Sequence, residues 1–511
     1  MNKSKWNEKN KKKNKLTSRA LYNEQLIKEL LGNSTELVSK QVNLEEEESV
    51  TVVFLYMNGL VSQKLVQEII LEILLIDIGE AVPILSNKTK SKEDLYHELS
   101  IIANELTEVE TIIDSLINGK TVLFIDGKIA AFSIDTKGSN TDRGVEQNTT
   151  QQVVRGPKDS FTESILINVA LIRKRIKDPS LWTEQMVIGT KTQTQVMIAY
   201  IHDVVNEDLI KEVRSRLKKI KVDAILESGN IEEFIQDQTY TPFPTVYNSE
   251  RPDAIAAGIL EGRIAIFIDG TPFVLLVPVL LINFLQTPED YYQRSDIATL
   301  LRCLRMLAVV LSLLTPSIYI ALTVFHQEMI PTRLLISLAA QREGVPFPAL
   351  VEALIMEVTF ELLREAGIRL PATVGSAISI VGALVLGQAA VDAGIVSAMM
   401  VIVVSITAIS SFVFPSYNFA ISLRMLRFGF MILAATFGFF GIFTGLLLLV
   451  MHLSSLRSFG VPYLSPFAPY NSSDQEDAIF RVPIWLRDNR PKLINQKNIR
   501  RERSWKVNHK K

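Results

Sequence analysis

The sequence predicts a duplicated pair of cytoplasmic α/β subdomains followed by an all-α polytopic membrane domain. Three observations predict it. A strand–turn–helix pattern occurs twice between residues 50 and 280, at an offset of about 144. Lysine is absent from 222 through 491, so every cation there is an arginine. Only 15 of the 156 residues from 297 to 452 are charged, half the overall share of 21%.

The 511 residues carry 54 basic and 55 acidic side chains, and the net charge of −1 hides an asymmetry. Residues 1–15 hold seven lysines and one acid; residues 481–511 hold eleven basic residues and two acids. A neutral chain with basic ends argues against a nucleic-acid partner and for ends that stay beside anionic lipid. No apolar segment follows the lysine-rich start, so the chain is expected to begin in the cytoplasm. The single cysteine, Cys303, excludes an intrachain disulfide and a thiolate zinc cluster. The five histidines have no ligand spacing, so neither metal nor cofactor is expected.

Taken in order, residues 1–48 are expected to form a basic, flexible segment. The first α/β subdomain is placed at 49–135. Val52, Val53, Phe54, Leu55 and Tyr56 make a β-rich run before a turn at Asn58-Gly59 and an amphipathic helix over 63–75. A polar linker covers 136–154. The second α/β subdomain, 155–295, repeats the pattern with Val196–Tyr200 and a helix over 207–220. The stretch 119–127, ending Phe124-Ile125-Asp126-Gly127, aligns with 262–270, ending Phe267-Ile268-Asp269-Gly270. Asp-Gly between apolar runs signals a hairpin, because glycine takes a positive φ cheaply. The apolar run 273–284 is therefore read as beginning with a return strand, not as a membrane span. Ser160 and Glu163 form a capping box that starts a helix ending at Asp178-Pro179. Its cationic last turn, Arg173-Lys174-Arg175, suits the helix dipole on a solvated face.

The polytopic membrane domain is placed at 296–455, with spans near 304–326, 374–391, 396–414 and 428–451. The turn Val391-Asp392-Ala393-Gly394 separates the middle two, with Asp392 capping the next helix. Four spans keep both basic ends on one side but put Arg424–Arg427 on the other, against the positive-inside rule. Gly375, Ser379, Ala383 and Gly387 recur every four residues as a helix-packing ridge, and the pairs Ala434 with Gly438 and Gly441 with Gly445 repeat the spacing. Intrachain packing is the simpler reading of both. Residues 456–511 form a proline-containing segment and a basic cytoplasmic tail.

No nucleophile elbow or phosphate loop occurs, so no catalytic residue is assigned and an enzyme is not expected. The informative segment is 346–366, read as an amphipathic or re-entrant helix. Glu357, Glu361 and Glu365 sit four apart and so line one helix face. Carboxylates beside a bilayer are costly unless they meet water, cations or arginines. They are candidates for a cation path or gate in an oligomer; the bland alternative pairs them with Arg364 and Arg369.

Several stretches together resemble the A subunits of the GerA family of bacterial spore germinant receptors. They are Gly156-Pro157-Lys158-Asp159-Ser160-Phe161-Thr162-Glu163, Glu261-Gly262-Arg263 leading to Asp269-Gly270-Thr271-Pro272, and Glu289-Asp290-Tyr291-Tyr292. Val345-Pro346-Phe347-Pro348, Arg364-Glu365-Ala366-Gly367-Ile368-Arg369-Leu370-Pro371, Gly382, then Gly387-Gln388-Ala389-Ala390-Val391, and Phe459-Gly460-Val461-Pro462-Tyr463-Leu464 complete the set. The resemblance implies a membrane subunit in the spore inner membrane, acting with a transporter-like B subunit and a lipoprotein C subunit. It implies a complex that senses small nutrient germinants, and a homo-oligomer forming a nutrient-gated cation channel. The rival is a signalling scaffold that relays nutrient binding to a separate ion-release channel. A transporter is disfavoured, since the spans show no inverted repeat.

Overall fold

A computed structural model describes residues 15–44, 50–78, 103–137, 151, 153–370, 387–472, 474–487, 489–491, 497–498 and 500. The chain divides into two units. One comprises Met1–Gln236, Val246–Pro278 and Ile484–Lys511, the other Asp237–Thr245 and Val279–Pro483.

The first unit is a duplication. Its first half holds α1 (Ala20–Leu30), β1 (Leu37–Leu44), β2 (Val50–Met57), α2 (Gln63–Ile78), β3 (Asn104–Leu106), α3 (Val109–Ile117), β4 (Lys120–Ile125) and β5 (Ala131–Asp135). The second holds α4 (Ile165–Arg175), β6 (Leu181–Ile188), β7 (Thr194–Ile201), α5 (Glu207–Lys219), α6 (Ser228–Ile235), β8 (Tyr247–Ser249), α7 (Pro252–Leu260), β9 (Ile264–Ile268) and β10 (Val274–Val277). The two sheets share one topology, β1-β2-β4-β5-β3 and β6-β7-β9-β10-β8, with antiparallel neighbours throughout. Leu37 pairs with Met57 and Leu181 with Ile201, so the register repeats at an offset of 144. Alternation along β2 sends Val53 and Leu55 to the face covered by α1 and α3, and Val52 and Phe54 to the face that Ile69 and Ile70 of α2 reach.

Two expectations fail here. Residues 20–44, expected within a flexible segment, form α1 and the edge strand β1, because Ile27, Leu31 and Leu37 complete the core that β2 and β4 open. The Ser160–Glu163 capping box does not form. Ser160 Oγ instead donates to the Glu250 carbonyl at 3.0 Å, and α4 begins at Ile165 with Ser164 at its N-cap. Asp269 caps that helix from the hairpin, accepting the Ile165 amide at 3.1 Å; Asp126 does the same for Ala20 at 2.7 Å. The duplicated Asp-Gly thus serves as turn and helix cap together. A side-chain clasp repeats as well. Asn23 accepts the Thr17 amide at 2.8 Å and donates back to its carbonyl at 2.7 Å; Asn168 does so with Thr162 at 2.7 and 2.6 Å.

The halves are joined by buried polar contacts. Arg173, expected on a solvated face, is fully buried and ion-pairs with Glu36 while donating to the Leu181 carbonyl at 2.8 Å. The Thr183 amide donates to Ser34 Oγ at 3.2 Å. Gly32, at φ +68°, lies so near Trp182 that a Cβ would come within 2.1 Å of the indole.

The second unit is helical: α8 (Ser295–Val324), α9 (Thr332–Arg342), α10 (Ala349–Arg369), α11 (Gly387–Asp392), α12 (Ala398–Ser411) and α13 (Tyr417–Ser455). The expected runs 304–326, 396–414, 428–451 and 346–366 fall largely within α8, α12, α13 and α10. Of the span 374–391, only 387–391 lies within the described residues, in α11. Asp392 does not cap α12: it accepts from Gln388 Nε2 at 2.9 Å, and Ser397 holds the cap by accepting the Met400 amide at 3.4 Å.

The 39 residues of α13 are two antiparallel legs, not one rod. Gly438, at φ 60° and ψ −139°, breaks the helix. Beyond it, Gly441 and Gly445 return beside Leu433 and Phe430. A Cβ on Gly441 would lie 2.1 Å from the Leu433 carbonyl oxygen, and one on Gly445 2.9 Å from the Phe430 ring. Both ends of the hairpin meet one short segment. Ser422 donates to the Pro242 carbonyl, and Thr241 Oγ1 lies 2.9 Å from His452 Nε2. The small residues therefore let two legs of one chain touch, as the simpler reading of that spacing has it.

Candidate functional site

The acidic row of α10 lies against the first leg of α13. Glu357 is 1% exposed, and Arg427 Nη1 donates to its Oε2 at 2.6 Å. The same guanidinium donates through Nε to the Ser312 carbonyl at 2.7 Å and through Nη2 to Ser312 Oγ at 3.0 Å. One arginine thus ties α8, α10 and α13 at a point inside the bundle. One turn on, Glu361 accepts from Arg424 at 2.5 Å and from Arg364 at 3.4 Å. Glu365 is outermost and pairs with Arg369 at 2.7 Å. Buried charges persist only when paired and hydrogen-bonded, and this row is paired along its length.

Two partners were not legible from local spacing. Arg424 and Arg427 come from a helix more than 50 residues away in sequence, and their match to Glu361 and Glu357 appears only once α13 packs on α10. Glu352, off the row, is fully buried; it accepts the Ser397 amide at 2.9 Å and lies 3.5 Å from Arg342. The signal that could have found them is the arginine repeat itself, since Arg424 and Arg427 are three apart and so share a helix face. Of the expected ridge, Gly387 is buried at the start of α11, where a Cβ would lie 3.6 Å from the Val401 side chain. Gly375, Ser379 and Ala383 lie outside the described residues.

A second polar cluster sits where α8 begins. Asp290 is 1% exposed and accepts from Arg302 Nε at 3.1 Å and Arg305 Nη1 at 2.8 Å. Arg302 also donates to Asp477 Oδ1 at 3.1 Å and to the Ala478 carbonyl at 3.1 Å, and Tyr291 OH donates to Asp477 Oδ2 at 2.7 Å. Burial alone would raise the Asp290 carboxyl. The hydrogen bond and charge of Arg305, with Arg302 beside it, hold it below the usual carboxylate range. The Glu289-Asp290-Tyr291-Tyr292 stretch thereby anchors the entry of α8 to the segment after α13.

Among the described residues no cluster of side chains has the makings of a metal site. A cavity of about 330 Å³ opens beside Glu361, lined in part by Arg364, Tyr417 and Arg424.

The duplicated α/β unit is joined in one chain to a bundle in which α8 and α13 are long and apolar enough to cross a membrane by length and composition, α13 being folded into two legs at Gly438. The family described as Bacillus/Clostridium GerA spore germination protein matches residues 25–493. Spore germination protein KA of Bacillus subtilis (strain 168) is 46% identical over 473 residues, 92% of this chain and 86% of that one. Spore germination protein A1 of the same organism is 44% identical over 396 residues, 78% and 81% of the two chains. The uncharacterized membrane protein YfkQ, also of Bacillus subtilis (strain 168), is 44% identical over 495 residues, 93% and 95%. The crystal structure of the N-terminal domain of the A subunit of the Bacillus megaterium spore germinant receptor GerK3 is similar at 36% identity. It covers 52% of this chain and 98% of that one, with a TM-score of 0.40. The chain belongs to the GerA family of spore germination proteins.

Proposed function

We propose that this chain is a non-enzymatic A-type subunit of a nutrient germinant receptor in the spore inner membrane. It works with a transporter-like B subunit and a lipoprotein C subunit, and copies of it assemble into a cation channel that opens when the complex binds a nutrient. Family membership along nearly the whole chain supports the receptor assignment. The observation that carries the gating half is the buried junction of Ser312, Glu357 and Arg427.

That junction changes the role given to the acids. A carboxylate closed on an arginine does not attract cations; one released from it does. The account is a latch. In the resting state the first leg of α13 holds Glu357 and Glu361, and nutrient binding favours a state in which the leg withdraws. The nutrient moves this equilibrium only by its differential affinity for the two states.

The hairpin also supports a topology. Glu352 meets Ser397 near the Val324 end of α8, while Arg364 meets Ser411 toward the other end, so α10 and α12 both run opposite to α8. With the expected span 374–391 as the return between them, and two legs of roughly 30 Å and 25 Å in α13, six crossings bring both ends of the unit to one side. Arg424–Arg427 then fall on that same side, and the conflict with the positive-inside rule disappears.

The scaffold reading keeps one specific support, that every acid of the row is already paired within a single chain. Cation flux through the reconstituted receptor separates the two readings. A Glu357→Gln/Glu361→Gln variant, checked for folding, is expected to change nutrient threshold or selectivity. Flux identical to the unsubstituted receptor would remove the acids from gating and path alike.

A further inference from the structure

The cavity between α10 and the first leg of α13 shares Arg424 and Glu361 with the latch and adds features of its own. Arg364 and Arg424 line it with side chains only 11% exposed. They share one carboxylate, Glu361, since Glu365 is occupied by Arg369. Glu365 also lines the cavity, and its partner Arg369 lies outside the lining, so the surplus of one guanidinium belongs to the group of five charges and not to the lining alone. The buried Nε of each guanidinium has no protein acceptor. A buried donor left unmade is costly, so both guanidiniums are poised for an anion with several oxygens.

The remaining wall is apolar and faces sideways. Ile368 and Met425 are 60% and 62% exposed, with Ile421 beside them. Tyr417, whose ring lies 5.9 Å from the Arg424 guanidinium carbon, stands at the rim. An aromatic at the rim and arginines just inside it are the pattern of the headgroup level of a membrane.

We infer that this cavity seats the phosphate of a membrane phospholipid, with Arg364 and Arg424 on the phosphate oxygens and an acyl chain laid along Ile368, Ile421 and Met425. A free phosphate would satisfy the same guanidiniums but would leave the sideways apolar wall without an occupant. The inference rests on the membrane reading of the helical unit proposed above. It deepens that reading, because a lipid bound to Arg364 and Arg424 touches the cluster that closes on Glu361 and so couples the bilayer to the latch.

The test uses the full chain purified in detergent, with phosphatidylglycerol as the lipid probe and inorganic phosphate as the soluble one. Retained lipid is read by native mass spectrometry and stability by thermal unfolding. The unsubstituted chain is expected to retain one phosphatidylglycerol selectively and to gain stability from it, with no equal gain from phosphate. Arg424→Gln is expected to weaken retention about tenfold, the worth of a charge-assisted hydrogen bond. Ile421→Trp, which fills the cavity and keeps every charge, is expected to do the same, so the test stands even where the arginine variant misfolds. Equal lipid retention by the chain and a folded Ile421→Trp variant would overturn the inference. Stabilisation by inorganic phosphate alone would overturn the lipid in favour of a free anion. Carbonate washing of vesicles tells the two failures apart: release of the chain sinks the membrane reading itself, whereas a chain that stays embedded without selective lipid sinks only this site.

Discussion

Arg427 is 2% exposed and makes contacts to two other helices through one guanidinium. Removing it leaves Glu357 buried without its partner, so Arg427→Gln is expected to cost about 3–5 kcal/mol, measured by unfolding in detergent. Replacing both residues together, Glu357→Leu with Arg427→Met, is expected to recover most of that loss, because the pair bears its own desolvation cost. A second residue-scale prediction concerns Glu232. Burial raises its carboxyl from 4.5 to about 7, helped by the charge of Glu227 and opposed by a hydrogen bond from Asn248 at 3.2 Å. The folded chain therefore holds this proton more tightly than the unfolded one. Its contribution is full below the unfolded value and is lost as pH rises through about 7. Glu232→Gln is expected to flatten that part of the melting-temperature profile; a profile as steep as before would contradict it. Glu232 gave no sequence signal, because its burial depends on how α6 meets β8.

At the scale of elements, the hairpin in α13 was hidden in the sequence by continuity. Residues 428–451 have the length of one span, and only glycine at 438 and 441 marks the reversal. Gly438 takes a backbone conformation that side chains avoid, and a Cβ there would lie 2.7 Å from the His326 ring. Gly441→Ala forces the legs apart at the Leu433 carbonyl. It is expected to lower the melting temperature sharply, whereas Gly429→Ala, with open space around it, is expected to be nearly neutral. Labelling tests the reversal itself. In a Cys303→Ser background, cysteines placed at Ser416 and Ser455 are expected to react from the same side of a vesicle; a single straight span puts them on opposite sides. The central strands β2, β4, β7 and β9 were legible for the converse reason. They show as continuous apolar runs beside the repeated Asp-Gly, both local signals, while the caps from Asp126 and Asp269 bridge more than 100 residues. Likewise β1 was missed because its alternation is diluted by Ser39, Lys40, Gln41 and Asn43 on an edge strand.

For the molecule as a whole, the duplicated α/β fold could be read from the repeat, whereas the boundary expected at 296 differs from the observed division, which gives Asp237–Thr245 and Val279–Pro483 to the helical unit. The pairing of the acidic row could not be read, since it depends on which helix packs against α10 and at what height. That pairing is also what turns a candidate cation path into a candidate latch. The account predicts that loosening the latch opens the pathway without its signal. The direct measurement is potassium flux through the receptor, reconstituted with its partner subunits, in the absence of nutrient, for the unsubstituted chain and for Arg427→Gln with folding checked on both. A nutrient-independent leak in the variant, with a lowered nutrient threshold for the remainder, is the predicted result. A folded variant as tight without nutrient and as responsive with it as the unsubstituted receptor would contradict the latch.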